Sequence, residues 1–353
     1  MNYFEKTPCK GKIKKTFAVP EVTGDGPINV HGNYFVYSHW SKKGVQTDQG
    51  PALISREGEV IWKTVLPSKD LYNSLRSLPL LHNDVIYCIT AGYILAIGPD
   101  KGNILWECKI SGLQYYSSPV AWKDYVIINP EKEILILDAH TGKTIKKISI
   151  STFGNLFIDE NILYFRKENE VGGIDLSDLS EIIHIPCAPL IPNDNRSNVA
   201  VQGNHIIFGT RNLFGVPCIT SFSKDQRKFQ WSCMSDIGLV VLASSPDFIV
   251  CSNGKDSVSC INLQNGICVW TWNSYESLSA SIGSAVICKD VIYVTYNDNM
   301  GEQLKAFQLD SGKILWTMEN VRWTSYPLPE DSAVIIQHTF NGGNKLVKYS
   351  EQG

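Results

Sequence analysis

A pattern that returns every forty-odd residues constrains this chain more than any other feature. It runs from a small or apolar residue through a strand and a glycine turn into a second strand that ends in Trp. Residues 52–62 carry it with Gly58 and Trp62, 96–106 with Gly102 and Trp106, 260–270 with Gly266 and Trp270, and 306–316 with Gly312 and Trp316. Three copies are decayed. Residues 136–146 keep Gly142 but end in Lys146, 221–231 keep Trp231 but have Arg227 for Gly, and 173–183 are the most degraded. The closing positions 62, 106, 146, 183, 231, 270 and 316 lie 44, 40, 37, 48, 39 and 46 residues apart.

One supersecondary unit of this length is a four-stranded propeller blade. Upstream of the hairpins lie further runs rich in Ile, Val, Tyr and Phe, at 85–90, 125–129, 161–166, 205–210, 248–252 and 291–296, as strands require. The glycine supplies the positive φ of the turn. The Trp is large enough to fill the gap between neighbouring blades, so it is expected to be buried. At the C-terminus the pattern stops at Gly353, on the turn glycine, while Gly11-Lys12-Ile13 matches Gly312-Lys313-Ile314. Residues 12–19 are therefore expected to supply the outer strand of the last blade, which closes the ring without a free edge. The expected fold is all-β: one propeller domain over residues 1–353, with eight four-stranded blades, or seven as the alternative.

Residues 134–143 (Ile-Leu-Ile-Leu-Asp-Ala-His-Thr-Gly-Lys) and 304–316 (Leu-Lys-Ala-Phe-Gln-Leu-Asp-Ser-Gly-Lys-Ile-Leu-Trp) resemble the pyrroloquinoline-quinone-type propeller repeat. The resemblance covers essentially the whole chain and its residues are structural. The family includes quinone-dependent dehydrogenases and the scaffold of outer-membrane protein assembly, so the resemblance implies a fold and leaves function open. In the dehydrogenases the quinone sits at the propeller axis with calcium, a catalytic Asp and often a vicinal Cys-Cys ring. No two cysteines are adjacent here, and Asp138 and Asp175 fall at the structural Asp of the repeat. The expectation is no enzyme, no cofactor and no metal. The seven histidines have no metal-ligand spacing, and residues 297–301 resemble a fragment of a calcium loop without its later acidic ligand.

With Lys+Arg 32 against Asp+Glu 35, the chain has no basic field for nucleic acid, and no apolar run is long enough for a spanning helix. The first residues lack a secretory apolar stretch, which gives a cytoplasmic expectation, or a periplasmic one if an export segment has been removed. The ten cysteines are scattered without a Cys-x-x-Cys and are expected to be free thiols. Cys260 and Cys268, flanking one hairpin, are the pair best placed for a disulfide.

A ring of this kind presents its outer-to-inner connections and middle hairpin loops on one face and its glycine turns on the other. The first set is long and carries Tyr72, Arg76, Tyr115, Tyr116, Arg196, Tyr275, Arg322, Trp323 and Tyr326, residue types enriched at interface hot spots. These are the candidate protein-binding residues. The expected function is a non-catalytic scaffold or partner-neutralising protein, monomeric until it meets another protein. The alternatives are an envelope assembly scaffold and, more remotely, a quinone-dependent dehydrogenase.

Overall fold

The computed structural model describes residues 12–17, 29–31, 34–43, 46–55, 59–64, 79–90, 92–110, 118–130, 132–188, 199–212, 214–234, 240–253, 256–274, 281–298, 301–319, 321–328, 333–340 and 343–350, with strand placement alone for 12–17, 29–31, 34–35, 37–43, 46–49, 321–328, 333–340 and 343–350 and for residues 153, 281, 284, 298, 302 and 319. These residues form strands and turns and no helix. The strands assemble into eight four-stranded antiparallel sheets. Seven are built from consecutive strands, starting at Asn29, Leu80, Val120, Phe153, Val199, Val240 and Ser281, and are numbered blades 1 to 7. Blade 8 takes three strands from the C-terminus, Val321–Leu328, Ala333–Phe340 and Gly343–Ser350, and its fourth from Lys12–Phe17. Phe17 lies opposite Leu346, Ile13 opposite Tyr349 and Lys12 opposite Ser350. This is the N-terminal closure expected from the sequence; Val19 and Gly353 lie outside the described residues. First strands of successive blades are neighbours from blade 3 to blade 8, and that of blade 8 lies beside that of blade 1.

Burial follows from this arrangement. The second and third strands of a blade are covered on both faces by the adjacent blades, so their apolar runs are continuous, as in Val85–Ile89 and Tyr93–Ile97. The fourth strand lies at the rim and alternates, as in Ile104–Lys109. In the seven outer strands that follow a turn within the chain, the register slips just before the Trp position, leaving Ile61, Leu105, Ile145, Ile182, Gln230, Val269 and Leu315 as the extra residue. A bulge on an exposed edge twists it away from pairing with another chain.

The repeat glycine and Trp act across the blade boundary. A Cβ on Gly102 would lie 2.5 Å from the Trp62 indole, one on Gly142 2.5 Å from Trp106, one on Gly266 2.6 Å from Trp231 and one on Gly312 2.5 Å from Trp270. Each indole therefore lies flat on the turn of the following blade. Its Nε1 donates to a carbonyl of that turn: Trp62 to Pro99, Trp106 to Ala139, Trp231 to Leu263 and Trp270 to Leu309. Trp62 and Trp316 are buried as expected. Trp106, Trp231 and Trp270 are only half-buried, because an indole lying on a rim turn keeps part of its surface in water.

The decayed copies fit the same rule. Lys146 replaces Trp in blade 3, and the turn of blade 4 carries Leu179 at φ 62° instead of glycine. Ile183 replaces Trp in blade 4, and the turn of blade 5 carries Arg227 at φ 50°. At these two boundaries Trp and glycine are both absent, and with no covering indole a Cβ at the turn meets no ring. Other contacts hold these two boundaries: Lys146 Nζ donates to the Leu179 carbonyl at 2.8 Å, and Lys224 pairs with Asp159 at 2.6 Å. Both flank blade 4.

Candidate functional site

In each antiparallel blade the second-to-third hairpin and the connection to the next blade share one face, and the third-to-fourth turns lie on the other. Of the residues expected to bind, Tyr72, Arg76, Tyr115, Tyr116, Arg196 and Tyr275 lie outside the described residues. Arg322, Trp323 and Tyr326 are placed differently from expectation. They belong to the first strand of blade 8, Val321–Leu328, and not to a connecting loop. Arg322 faces Gln337 and Tyr326 faces Ile335, with a register irregularity between them that takes in Trp323. The run Val321-Arg322-Trp323-Thr324-Ser325-Tyr326 has the β-branched and aromatic content of a strand, and the outer strand of blade 7 ends at Glu319, so residue 320 alone separates the two.

The same face carries an exposed apolar projection that sequence reasoning missed. Phe214 stands at the tip of the hairpin joining His205–Arg211 to Pro217–Ser223 in blade 5 and is 89% exposed. Its loop is held by its own polar groups. Asn212 Oδ1 accepts from the backbone N–H of Phe214 at 2.9 Å and of Val216 at 3.0 Å. Asn212 and Val216 are joined N–H to carbonyl at 2.9 Å, and Arg211 Nη1 donates to the Gly215 carbonyl at 3.1 Å. Gly215 adopts φ 75°, a left-handed geometry that glycine accepts without cost to a Cβ. Met234, the last residue of the outer strand Lys228–Met234, is 69% exposed and accepts at Sδ from Asn212 Nδ2 at 3.3 Å. The signal was present in Asn212-Leu213-Phe214-Gly215: two large apolar residues set between two turn formers.

Between blades 6 and 7 an aromatic cluster reaches toward this face. Trp272 meets Tyr296 edge-on with ring centroids 5.4 Å apart and Phe307 at 5.5 Å. Lys305 Nζ sits 5.4 Å from the Trp272 ring and 5.5 Å from that of Tyr296, within cation–π range. The Tyr296 hydroxyl bonds to that of Ser274, at the root of the segment that contains Tyr275.

Two constellations could suggest chemistry. Glu170, Glu181 and His184, on the last two strands of blade 4, bring ligand atoms within 4.8 Å of one another. Lys167 Nζ already occupies the position a cation would take, bonded to Glu181 and, at 3.1 Å, to Glu170. His184 Nδ1 lies 3.1 Å from the same Glu170 oxygen. Burial tends to raise the Glu170 carboxyl, and the bonds from Lys167 and His184 outweigh it and hold it low. The cluster is a neutralised ion network and fits a metal poorly.

Asp138 and Asp175 are the acids that a quinone enzyme of this fold would tempt one to choose. Asp138 Oδ1 accepts from Thr141 Oγ1 and N at 2.7 Å each and from His140 N at 3.1 Å. Asp175 Oδ1 accepts from Ser177 N at 2.8 Å and Asn161 Nδ2 at 2.9 Å. These bonds hold both carboxyls below the usual carboxylate range, the one from the Thr141 hydroxyl leading for Asp138 and the one from the Ser177 hydroxyl for Asp175. Both are caps of third-to-fourth turns, committed to donors within their own blade, and neither fits a quinone site at the axis. Asn297 and Asp298 end a strand whose Asp298 pairs with Gly301, so that stretch is a hairpin. The nine described cysteines are free, Cys260 and Cys268 included.

Comparison with known proteins agrees with this architecture. No curated protein sequence matches the chain significantly. BamB from Moraxella catarrhalis superposes with a TM-score of 0.73 at 11% identity, covering 98% of each chain. A europium-containing methanol dehydrogenase gives 0.67 at 10% identity, covering 96% of this chain and 93% of that one. The C-terminal WD40 domain of Sif2 gives 0.63 at 8% identity, over 98% and 99%. At these identities the likeness is one of fold, and it spans BamB, a dehydrogenase and a WD40 domain alike. The family described as outer membrane protein assembly factor BamB matches residues 6–182, half of the 353, and the chain belongs to that family.

Proposed function

We propose that this chain is a non-catalytic platform that binds another protein through the face bearing the second-to-third hairpins. The observation that carries the reading is Phe214. A phenyl ring 89% exposed on a loop fixed by five internal hydrogen bonds has already met the ordering cost that a flexible loop would meet on binding. Full burial of such a side chain contributes about 1.5–3 kcal/mol, roughly ten- to hundredfold in affinity. Met234 beside it widens the apolar contact. The commitment of Asp138 and Asp175 to turns supports a role without turnover of its own. We place the protein in the cytoplasm, a reading supported by free thiols at Cys88, Cys251 and Cys260 within the core.

Family membership favours a second reading, an assembly scaffold in the cell envelope. The test is affinity capture from the native cell with wild type and Phe214→Ser side by side. A stoichiometric protein retained by wild type and lost from a folded Phe214→Ser supports the platform. An outer-membrane assembly component as that protein selects the envelope reading. Dye-linked dehydrogenase turnover on adding quinone and calcium would refute both.

A further inference from the structure

Arg166 closes the second strand of blade 4, Ile162–Arg166, and its side chain is 0% exposed. Its Nη1 is bonded to Cys187 Sγ and its Nη2 donates to the Ala188 carbonyl at 3.1 Å, while Nε has no partner. Among the described residues no carboxylate pairs with this guanidinium. The Tyr164 hydroxyl, two residues earlier and on the same side of the strand, is likewise buried without a partner. A guanidinium cannot shed its proton, and a buried charge without a counter-ion is strongly unfavourable. Among the described residues Cys187 is the one ionisable group in contact with it. Burial pushes that thiol up, and Glu170 adds to the rise; the guanidinium works against both without overcoming them. At rest the sulfur is therefore a thiol, and among the described residues Arg166 has no anion beside it.

We propose that Cys187 is an oxidation site whose anionic product, a sulfinate, is the counter-ion that Arg166 lacks. The co-reactant is a hydroperoxide. The thiol and two hydroperoxide molecules give the sulfinate, a proton released to solvent, and two molecules of alcohol, or of water from hydrogen peroxide. The sulfur loses four electrons and each O–O bond takes up two. Cys187 follows the outer strand Ser180–Pro186 and is half-buried, so part of the residue is open to a small peroxide. Cys108, Cys233 and Cys268 offer the contrast. Each thiol points at a backbone carbonyl, of Lys109, Met234 and Trp270 respectively, and a sulfinate there would meet a lone pair instead of a cation. The site also couples to its neighbour, because Ala188 N–H donates to Thr210 Oγ1 of blade 5 at 3.1 Å. The inference is independent of the binding function proposed above.

The test uses the full chain treated with hydrogen peroxide, followed by peptide mapping and thermal unfolding. Cys187 should be recovered as sulfinate, and the treated wild type should melt above treated Cys187→Ser. Aspartate is nearly isosteric with cysteine sulfinate, so Cys187→Asp should melt about 2 °C or more above Cys187→Asn. An Asp variant no more stable than the Asn variant, or unfolded where Asn folds, would overturn the proposal. So would a Cys187 left as thiol under peroxide that converts Cys268 to sulfinate.

Discussion

Gly266 should tolerate a methyl group poorly for two reasons, its left-handed backbone and the Trp231 indole that covers it. In Gly266→Ala the new Cβ would sit 2.6 Å from the indole, and the residue must hold φ +70°. Left-handed backbone costs an L-residue roughly 1–2 kcal/mol, and overpacking a fixed contact adds about 1–3 kcal/mol, so the single substitution should cost roughly 2–5 kcal/mol in all. Removing the indole removes the second contribution. In a Trp231→Ala background, itself destabilised by loss of the indole and of its bond to Leu263 at 2.8 Å, Gly266→Ala should cost only about 1–2 kcal/mol. Urea unfolding of the four proteins closes a double-mutant cycle, and a coupling of at least ~1 kcal/mol is expected. Equal costs in both backgrounds would show that the indole does not restrict the turn, and the account of paired loss at Leu179 and Arg227 would fall with it.

The reverse exchange is expected at the boundary of blades 3 and 4. Lys146→Trp together with Leu179→Gly should raise the unfolding midpoint, while Lys146→Trp alone, meeting the Leu179 side chain, should lower it. Deleting residues 1–17 should expose the blade 8 edge along Gly343–Ser350, seen as a lower midpoint and as aggregation by light scattering. Because the Thr141 hydroxyl bond holds Asp138 low, the capped turn contributes stability above the unfolded carboxyl pKa of about 3.9. That stability is lost as pH falls through the folded value. Thr141→Val should raise the Asp138 pKa by NMR titration and shrink the stability difference between neutral and acid pH; an unmoved titration would contradict the cap.

The fold was legible because its signal is repeated. Glycine, Trp and the turn Asp recur at a fixed spacing, and even the broken copies keep the strand runs that fill the space between blades. The closure by Lys12–Phe17 was legible from the break in the pattern at Gly353 together with Gly11-Lys12-Ile13. The pairing of Trp with the next blade's glycine was not, because it joins residues some forty apart in different copies. Only the geometry explains why Lys146 goes with Leu179. The site was less legible. Val321–Leu328 has the composition of both a strand and an aromatic loop, and only its register against Ala333–Phe340 decides. Phe214 lacks a periodic partner, so its exposure follows from the hairpin's length. Arg166 sits at the end of an apolar strand, where sequence gives no hint that its partner is a thiol.

The central claim is that the face carrying Phe214 meets a protein. A photo-crosslinking residue placed at Phe214, and separately at Ile267, which is 63% exposed on the opposite, glycine-turn face, tests it in the native cell. The account predicts one discrete protein adduct from position 214 and none from position 267. Adducts from 267 with silence at 214 would contradict it.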